Sequence, residues 1–287
     1  MPHTDRTWTS DDGLTLSARD YAAAPGPAHL PVICIHGLTR NSRDFEDVAA
    51  WIAAQGRRVL AVDVRGRGRS DRDPNPQNYQ PPVYAGDVLA LMGQAGIARA
   101  VFVGTSMGGL ITLVVAAMNP GAVAGAVLND IGPELAPAGL ARIMGYVGAT
   151  SPVETWADAA TFARSINAVA FPNADAAHWD AFARRIFREE SGRPVLDYDP
   201  DISAPFRNTP TGPAPDLWPL FTGLTTGRPV LLVRGEISDL LDADISGRMR
   251  EAAPGMAYAE VPDVGHAPML TEPEAQAAIA ELLRAAP

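Results

Sequence analysis

The sequence predicts an α/β protein with a mostly parallel central sheet that is flanked by helices. From residue 30 to residue 130, short apolar runs typical of buried strands alternate with segments that repeat apolar residues at helical spacing. One glycine-rich turn, Gly104-Thr105-Ser106-Met107-Gly108, lies between such a strand and such a helix. The alternation stops over residues 134–220 and then resumes. In a sheet of this kind, functional groups are expected at the carboxyl edge of the strands.

The strand predictions follow the apolar runs along the chain. Residues 7–10 and 14–21 predict a hairpin around the turn-forming sequence Asp11-Asp12-Gly13. Continuous runs of Val, Ile, Leu and Ala indicate strands that are buried on both faces. The predicted strands of this second kind are residues 30–35, 58–64, 101–104, 122–128, 228–233 and 257–261.

The helix predictions depend on apolar spacing and on signals at the helix ends. Residues 44–54 place apolar side chains at helical spacing and stop before a glycine. Residues 81–94 begin with proline, which favours the first turn of a helix. The other predicted core helices are residues 107–118, residues 243–252 and a last helix that begins at Thr271.

Residues 134–220 have a different character from the rest of the chain. Helical patterns occur at residues 140–147, 153–166 and 174–189, and we predict no strand among them. Residues 205–219 are rich in proline and indicate an extended return connection. The sequence therefore predicts a helical insertion within a single α/β core.

Composition excludes several classes of function. The net charge of −10 disfavours binding to nucleic acid or to an anionic membrane surface, because no basic field attracts phosphate groups. All 23 basic residues are arginine, so no lysine is available for a Schiff base or a phosphate-binding Walker motif. The oligomeric state stays open.

Metal, disulfide and membrane signals are weak. Cys34, the single cysteine, lies within a predicted buried strand and is expected to be a structural thiol. The five histidines are scattered without metal-ligand spacing, so we expect no metal and no cofactor. Residues 1–13 are polar, and the strongly apolar stretch at residues 110–118 is too short to span a bilayer. These observations predict a cytoplasmic protein.

A serine, an acidic residue and a histidine follow predicted strands in that order. Ser106 lies in the G-x-S-x-G turn, Asp239 follows the strand at residues 228–233, and His266 follows the last strand. A serine hydroxyl becomes a good nucleophile only when a base lies within hydrogen-bonding reach. Asp130, at the end of the strand before the insertion, is the alternative acid, and His36 is the competing histidine.

These motifs resemble those of the α/β-hydrolase family, over nearly the whole chain. The serine turn corresponds to the nucleophile elbow of that family. The other matching stretches are His36-Gly37, Asp63-x-Arg65-Gly66-x-Gly68-x-Ser70, Arg234-Gly235-x-x-Ser238-Asp239 and Gly265-His266. The resemblance implies a core of residues 1–133 and 221–287 and a helical cap of residues 134–220.

The resemblance also implies roles for individual residues. Ser106 would be the nucleophile, His266 the general base and Asp239 the acid that orients the histidine. We prefer Asp239 over Asp130 because the Ser238-Asp239 stretch resembles the family's acid motif, and the alternative stays open. The backbone N–H groups of Leu38 and Met107 would form the oxyanion hole.

Substrate-binding residues are harder to predict. His36 and Arg40 lie in the loop after the first buried strand, and Trp156 and Trp179 lie on helices of the insertion. All four are candidate substrate contacts, although tryptophans on such helices are more often packing residues, and the sequence does not separate the two roles. Arg40 or Arg65 could bind an anion, while the family resemblance favours a structural role for Arg65.

The predicted function is cofactor-free serine hydrolysis of a small carboxylic ester or lactone through an acyl-enzyme. A serine at the elbow disfavours the family's dehalogenases and epoxide hydrolases, in which a carboxylate attacks carbon. Carbon–carbon bond hydrolases and aminopeptidases of the same fold remain alternatives. A ligand receptor that retains the three residues is a further alternative from a different class.

Overall fold

A central sheet of eight strands lies between two layers of helices. The computed structural model describes residues 2–148, 153–207 and 215–287. Within these residues the strands are β1 (Thr4–Thr9), β2 (Thr15–Tyr21), β3 (Val32–Ile35), β4 (Val59–Asp63), β5 (Ala100–Thr105), β6 (Val123–Asn129), β7 (Phe187–Glu190), β8 (Arg193–Leu196), β9 (Val230–Gly235) and β10 (Ala257–Val261). The α-helices are α1 (Glu46–Ala54), α2 (Pro81–Gln94), α3 (Met107–Met118), α4 (Pro137–Met144), α5 (Trp156–Asn167), α6 (Ala176–Ile186), α7 (Ala204–Arg207), α8 (Trp218–Thr225), α9 (Ala243–Ala252) and α10 (Pro273–Ala285).

The sheet topology confirms the predicted fold class. The strands of the main sheet lie in the order β1-β2-β4-β3-β5-β6-β9-β10. β2 runs antiparallel to both β1 and β4. All other pairings in this main sheet, which involve β4, β3, β5, β6, β9 and β10, are parallel. The carboxyl ends of β5, β6 and β9 therefore lie at the same edge of the sheet. The predicted serine comes directly after β5, and the two candidate acids come after β6 and β9.

The central strands are mostly apolar because helices cover both faces of the sheet, and their polar residues lie toward their carboxyl ends. In β3, Val32 and Cys34 contact one helix layer, and Ile33 and Ile35 contact the other. Cys34 is fully buried, and burial raises the pKa of its thiol. The cysteine is therefore a packing residue, as predicted.

The two helix layers are built from different parts of the chain. α1 and α10 cover one face, with Val48 and Ile279 among their buried residues. α2, α3, α8 and α9 cover the other, where Ile111 of α3 and Phe221 of α8 are completely buried. No helix in the three described ranges is long and apolar enough to cross a membrane.

The predicted helical insertion lies between β6 and β9 and contains one unpredicted hairpin. α4, α5 and α6 correspond to the three predicted helices. The prediction for residues 174–189 is wrong at its end, because α6 stops at Ile186 and β7 pairs antiparallel with β8. Ser191 and Gly192 have φ angles of 51° and 80°, and this left-handed pair reverses the chain between the two strands.

Part of the insertion has a small hydrophobic core of its own. Ala163 of α5 packs with Trp179 and Phe182 of α6 and with Phe187 of β7, separately from the two cores beside the sheet. This supports residues 134–220 as a proposed cap. α8 begins inside that range, yet its Phe221 belongs to the core beside the sheet. Of the predicted connection at 205–219, residues 208–214 lie outside the described residues.

Candidate active site

Ser106 occupies a sharp turn between β5 and α3, as predicted. Its φ of 52° and ψ of −118° lie in a region that non-glycine residues seldom adopt, and such strain is common at functional sites. The N–H of Ser106 donates to the carbonyl oxygen of Asn129 on the neighbouring strand, at 3.0 Å. The turn thus holds the serine at the carboxyl edge of the sheet.

The glycines of this turn permit backbone segments to approach closely. A Cβ atom on Gly108 would lie 2.0 Å from the carbonyl oxygen of Ile35, and one on Gly104 would lie 2.5 Å from the backbone of Gly108. Because these neighbours are backbone atoms, they cannot move as a flexible side chain would. The requirement for glycine comes from packing of the turn against β3 and α3.

Gly108→Ala is expected to lower the free energy of unfolding by about 1–3 kcal/mol, because the added methyl group overpacks the turn. Gly86→Ala is a matched control, since Gly86 lies inside α2 and a Cβ atom added there would have no neighbour within 4 Å. That control should gain about 0.5–1 kcal/mol from helix propensity. Urea unfolding measures both changes, and equal midpoints for the two variants would contradict this account of the turn.

His266 connects the serine to an aspartate. Its Nε2 lies 2.9 Å from Oγ of Ser106, and its Nδ1 lies 2.8 Å from Oδ2 of Asp130. The histidine side chain is 8% exposed. Its loop is held by a hydrogen bond from the N–H of Gly265 to the carbonyl oxygen of Ala170, at 2.8 Å. A residue of the insertion therefore helps to position the loop of the histidine.

Asp130 is completely buried directly after β6, and each carboxylate oxygen has its own donor. Oδ1 accepts from the N–H of Gly235 at 2.8 Å. Oδ2 accepts from the hydroxyl of Ser238 at 2.5 Å and contacts the histidine. Hydrogen bonds of this kind hold the carboxylate in place, so Asp130 is oriented to accept from Nδ1–H of His266.

The prediction of Asp239 as the acid is wrong, because its carboxylate is engaged elsewhere. Nε and Nη2 of Arg142, on α4, donate to the two oxygens of Asp239 at 2.6 and 2.7 Å. This ion pair lowers the pKa of Asp239. The preceding residue, Ser238, turns toward Asp130 instead, so the Ser238-Asp239 stretch contributes its serine and not its aspartate to the site.

His36 is a structural residue and not a substrate contact. It is completely buried; its Nε2 accepts from the N–H of Val64 at 3.1 Å, and its Nδ1 lies 2.7 Å from the carbonyl oxygen of Gly37. Burial lowers the pKa of His36 to about 4. The neutral ring therefore links the loop after β3 to the end of β4.

The loop after β3 also carries Leu38, the first predicted oxyanion donor. A Cβ on Gly37 would lie 3.6 Å from Cβ of Ser106, which places this loop directly beside the serine. The carbonyl oxygen of Leu38 accepts from Nε of Arg67 at 3.0 Å, and this bond fixes the peptide group between Leu38 and Thr39. Met107, the second donor, is the first residue of α3. Their oxyanion role stays a prediction.

Arg65 belongs to a buried charge cluster and not to the active site. Its side chain is 2% exposed and donates to the carboxylates of Asp12, Asp73 and Asp87. Both Nε and Nη2 bond Asp87, at 2.7 and 2.6 Å. With its donors occupied in this way, Arg65 is structural, and the anion-binding alternative for it is wrong.

A cavity of about 220 Å³ opens above Ser106 and His266. The insertion supplies much of its apolar wall, including Leu140, Ile143, Met144, Phe162, Ile166 and Phe171. Sequence patterns did not identify these residues as lining, because a side chain facing a cavity has the same helical spacing as one facing a core.

Only one of the four predicted substrate contacts lines this cavity. Arg40 does so, beside Phe182. Trp179 is buried in the core of the insertion, and Trp156 lies under the guanidinium of Arg184, whose central carbon is 4.5 Å from the ring centroid. Both tryptophans are therefore packing residues, and the predictions for Trp156, Trp179 and His36 as contacts are wrong.

Comparison with known proteins identifies the family. A family model described as the alpha/beta hydrolase fold matches residues 31–273. The chain belongs to the α/β-hydrolase fold family. Among solved structures, an alpha/beta hydrolase from Novosphingobium aromaticivorans DSM 12444 has 47% identity and a TM-score of 0.91, over 99% of both chains.

Two relatives of this α/β-hydrolase have assigned activities. The 3-hydroxybutyrate-oligomer hydrolase of Cupriavidus necator is 36% identical over 257 residues, which are 87% of this chain and 86% of that protein. The 2-(acetamidomethylene)succinate hydrolase of Mesorhizobium japonicum is 29% identical over 256 residues, covering 88% and 85%. Both names describe hydrolases.

The floor of the site in this α/β-hydrolase is polar, and its walls are apolar. A continuous chain of hydrogen bonds runs from Ser106 through His266 to Asp130. The walls of the cavity above it are mostly apolar, and hydrogen bonds and charges act more strongly in surroundings of low polarity. Such a site can activate a serine hydroxyl toward a bound carbonyl group.

Proposed function

We propose that this protein is a serine hydrolase that cleaves a small carboxylic ester or lactone through an acyl-enzyme. The observation that carries the proposal is the Ser106–His266–Asp130 hydrogen-bond chain at the base of an apolar cavity. The order and geometry of these groups are those that serine acyl transfer requires. The ester-hydrolase relative supports the same reaction class.

Acylation begins with proton transfer from Ser106 to Nε2 of His266. As the proton leaves, Oγ forms a bond to the carbonyl carbon, and the carbonyl oxygen gains negative charge. The N–H groups of Leu38 and Met107 would stabilise that oxyanion. Asp130 stabilises the imidazolium ion. The tetrahedral species then collapses, and His266 gives its proton to the departing alcohol oxygen.

Deacylation repeats these steps with water in the place of the serine. His266 removes a proton from water, and the hydroxide attacks the acyl carbon of the ester on Ser106. The second tetrahedral species breaks the bond to Oγ, and the proton on His266 returns to the serine. A lactone follows the same path, except that the leaving alcohol stays attached to the acyl product.

The relative from Cupriavidus necator suggests one substrate class in particular. Oligomers of 3-hydroxybutyrate are short chains of carboxylic esters, and each chain ends in a free carboxylate. The apolar wall of the cavity suits the methyl and methylene groups of such a chain. We therefore propose esters of short hydroxy acids as the substrates to test alongside simple esters and lactones.

The test uses p-nitrophenyl esters from acetate to octanoate, γ-lactones and the 3-hydroxybutyrate dimer, with Ser106→Ala as the control. Turnover that depends on Ser106 and peaks at one chain length is expected. A fluorophosphonate probe should label the wild type and leave Ser106→Ala unlabelled.

Other outcomes would distinguish the alternatives. Sustained turnover by Ser106→Ala would contradict the proposed mechanism. Labelling of Ser106 without ester or lactone turnover would favour the receptor alternative. If Ser106 is labelled without such turnover, the next substrates to test are compounds cleaved at a carbon–carbon bond and aminoacyl compounds.

A further inference from the structure

Arg40 is a charged group in a cavity that is otherwise mostly apolar. Among the described residues that line the cavity, it carries the only guanidinium, and Asp44 carries the only carboxylate. Both side chains are 14% exposed. The ester mechanism makes no use of either group, so their presence beside the nucleophile needs a separate explanation.

The guanidinium is held in one orientation. Its Nε and Nη2 donate to the two oxygens of Asp44, both at 2.7 Å, and its central carbon lies 4.0 Å from the ring centroid of Phe182. Asp44 thus occupies one edge of the planar group, while Nη1 bonds to no described residue. The end formed by Nη1 and Nη2 presents parallel N–H donors, which match the two oxygens of a carboxylate.

The position of Arg40 relative to Ser106 limits where such a carboxylate would lie. A Cβ on Gly37 would be 3.5 Å from Cγ of Arg40 and 3.6 Å from Cβ of Ser106. The arginine side chain and the nucleophile therefore both adjoin Gly37, and the arginine extends along the cavity wall to Phe182. A carboxylate bound at its end would lie in the same cavity as the carbonyl that Ser106 attacks.

Arg40 has fewer carboxylate partners than Arg65, the other arginine for which the sequence analysis considered anion binding. Arg65 has three carboxylate partners, which occupy its donors on every side. Arg40 has one among the described residues, Asp44, which leaves Nη1 without a described partner on a side chain that lines a mostly apolar cavity. A charge-assisted hydrogen bond is strengthened in such surroundings.

We propose that Arg40 binds a free carboxylate of the substrate, so that the preferred substrates are esters that also carry an acid group. This inference rests on the proposed ester hydrolysis for its biological meaning, and it specifies the substrate class of that site. Asp44 and Phe182 act as positioning residues, because they hold the guanidinium and do not touch the reacting atoms.

Binding can be tested without turnover. In a Ser106→Ala background, calorimetry would measure the dissociation constants of the 3-hydroxybutyrate dimer and of its terminal carboxamide, which has the same shape and no charge. We expect the acid to bind about ten- to a hundredfold more tightly than the amide. Adding Arg40→Met, or separately Arg40→Gln, should reduce this ratio to about one.

Arg184→Met is the matched control, since Arg184 lies on the same helix as Phe182 and does not line the cavity. It removes one positive charge and should leave the ratio unchanged. Three results would overturn the proposal. They are an affinity ratio near one in the Ser106→Ala protein, a ratio that is unchanged by both Arg40 substitutions, and failure of both the acid and the amide to bind. If p-nitrophenyl esters are still cleaved through Ser106 in that case, only the carboxylate preference is wrong.

Discussion

Asp130→Asn is expected to lower kcat by about 10⁴-fold if the proposed mechanism holds, in line with the loss that the same substitution causes in a known Ser-His-Asp triad. The asparagine amide would place an N–H₂ group where Oδ2 now accepts from His266 and Ser238. The histidine would then accept at Nδ1 and carry its proton on Nε2. In that tautomer it has no lone pair with which to remove the proton of Ser106.

Asp239→Asn is the matched control for this prediction. It converts a carboxylate to an amide, as Asp130→Asn does, but at the acid predicted from the sequence. It also removes the negative partner of the ion pair with Arg142. Because that pair is partly exposed, we expect a stability loss of at most about 1 kcal/mol and little change in kcat. The initial rate on a p-nitrophenyl ester, with melting temperature as a check on folding, compares the two variants. Greater loss in Asp239→Asn would contradict the assignment of Asp130.

The two acids show how far the sequence could locate the site. Asp130 and Asp239 each follow a buried parallel strand, and β6 and β9 are neighbours, so strand order alone brings both acids to the same edge. The choice between them depends on how two loops bend after those strands. Asp130 adopts a φ of 53° and turns inward, while the loop after β9 directs Ser238 inward and Asp239 toward α4. Strand patterns carry no information about these loop conformations.

Local chemistry was predicted well where a backbone requirement is visible in the residues themselves. The glycines around Ser106 mark the turn because no other residue fits there, and Pro81 marks the first residue of α2. The roles of Trp156 and Trp179 could not be predicted in this way. A large apolar side chain on an insertion helix has the same spacing whether it faces a cavity or a neighbouring helix.

The hairpin in the insertion was missed for a different reason. Its strands, β7 and β8, are only four residues long, and the first is mostly polar, so neither produces an apolar alternation. The local signal was the turn-forming pair Ser191-Gly192, which lies just after the predicted helix of residues 174–189 and was not interpreted as a hairpin turn. Short strands depend on pairing with their partner, and pairing between segments is absent from a single-sequence pattern.

Arg65→Met is expected to lower the free energy of unfolding by about 3–5 kcal/mol at neutral pH, because it leaves buried carboxylates without their cation. Asp73 and Asp87 have side chains that are only 3% and 7% exposed. Arg69→Met is the control, since Arg69 pairs with Asp5 at the surface and both side chains are about half exposed. For that exposed pair we expect a loss of at most about 1 kcal/mol.

The pH dependence of Arg65→Met separates a buried charge from a simple loss of packing. Burial already raises the pKa of Asp87 above its ordinary value in the wild type, and removal of Arg65 would raise it further. An acid whose pKa is higher in the folded state than in the unfolded state destabilises the fold when ionised, and protonation relieves this cost as the pH falls. The loss in free energy of unfolding caused by Arg65→Met should therefore be smaller at about pH 5 than at about pH 7.5, as measured by urea unfolding.

A loss that does not change with pH would indicate lost packing alone. Loss of ester turnover with unchanged stability would instead restore Arg65 as an anion-binding residue.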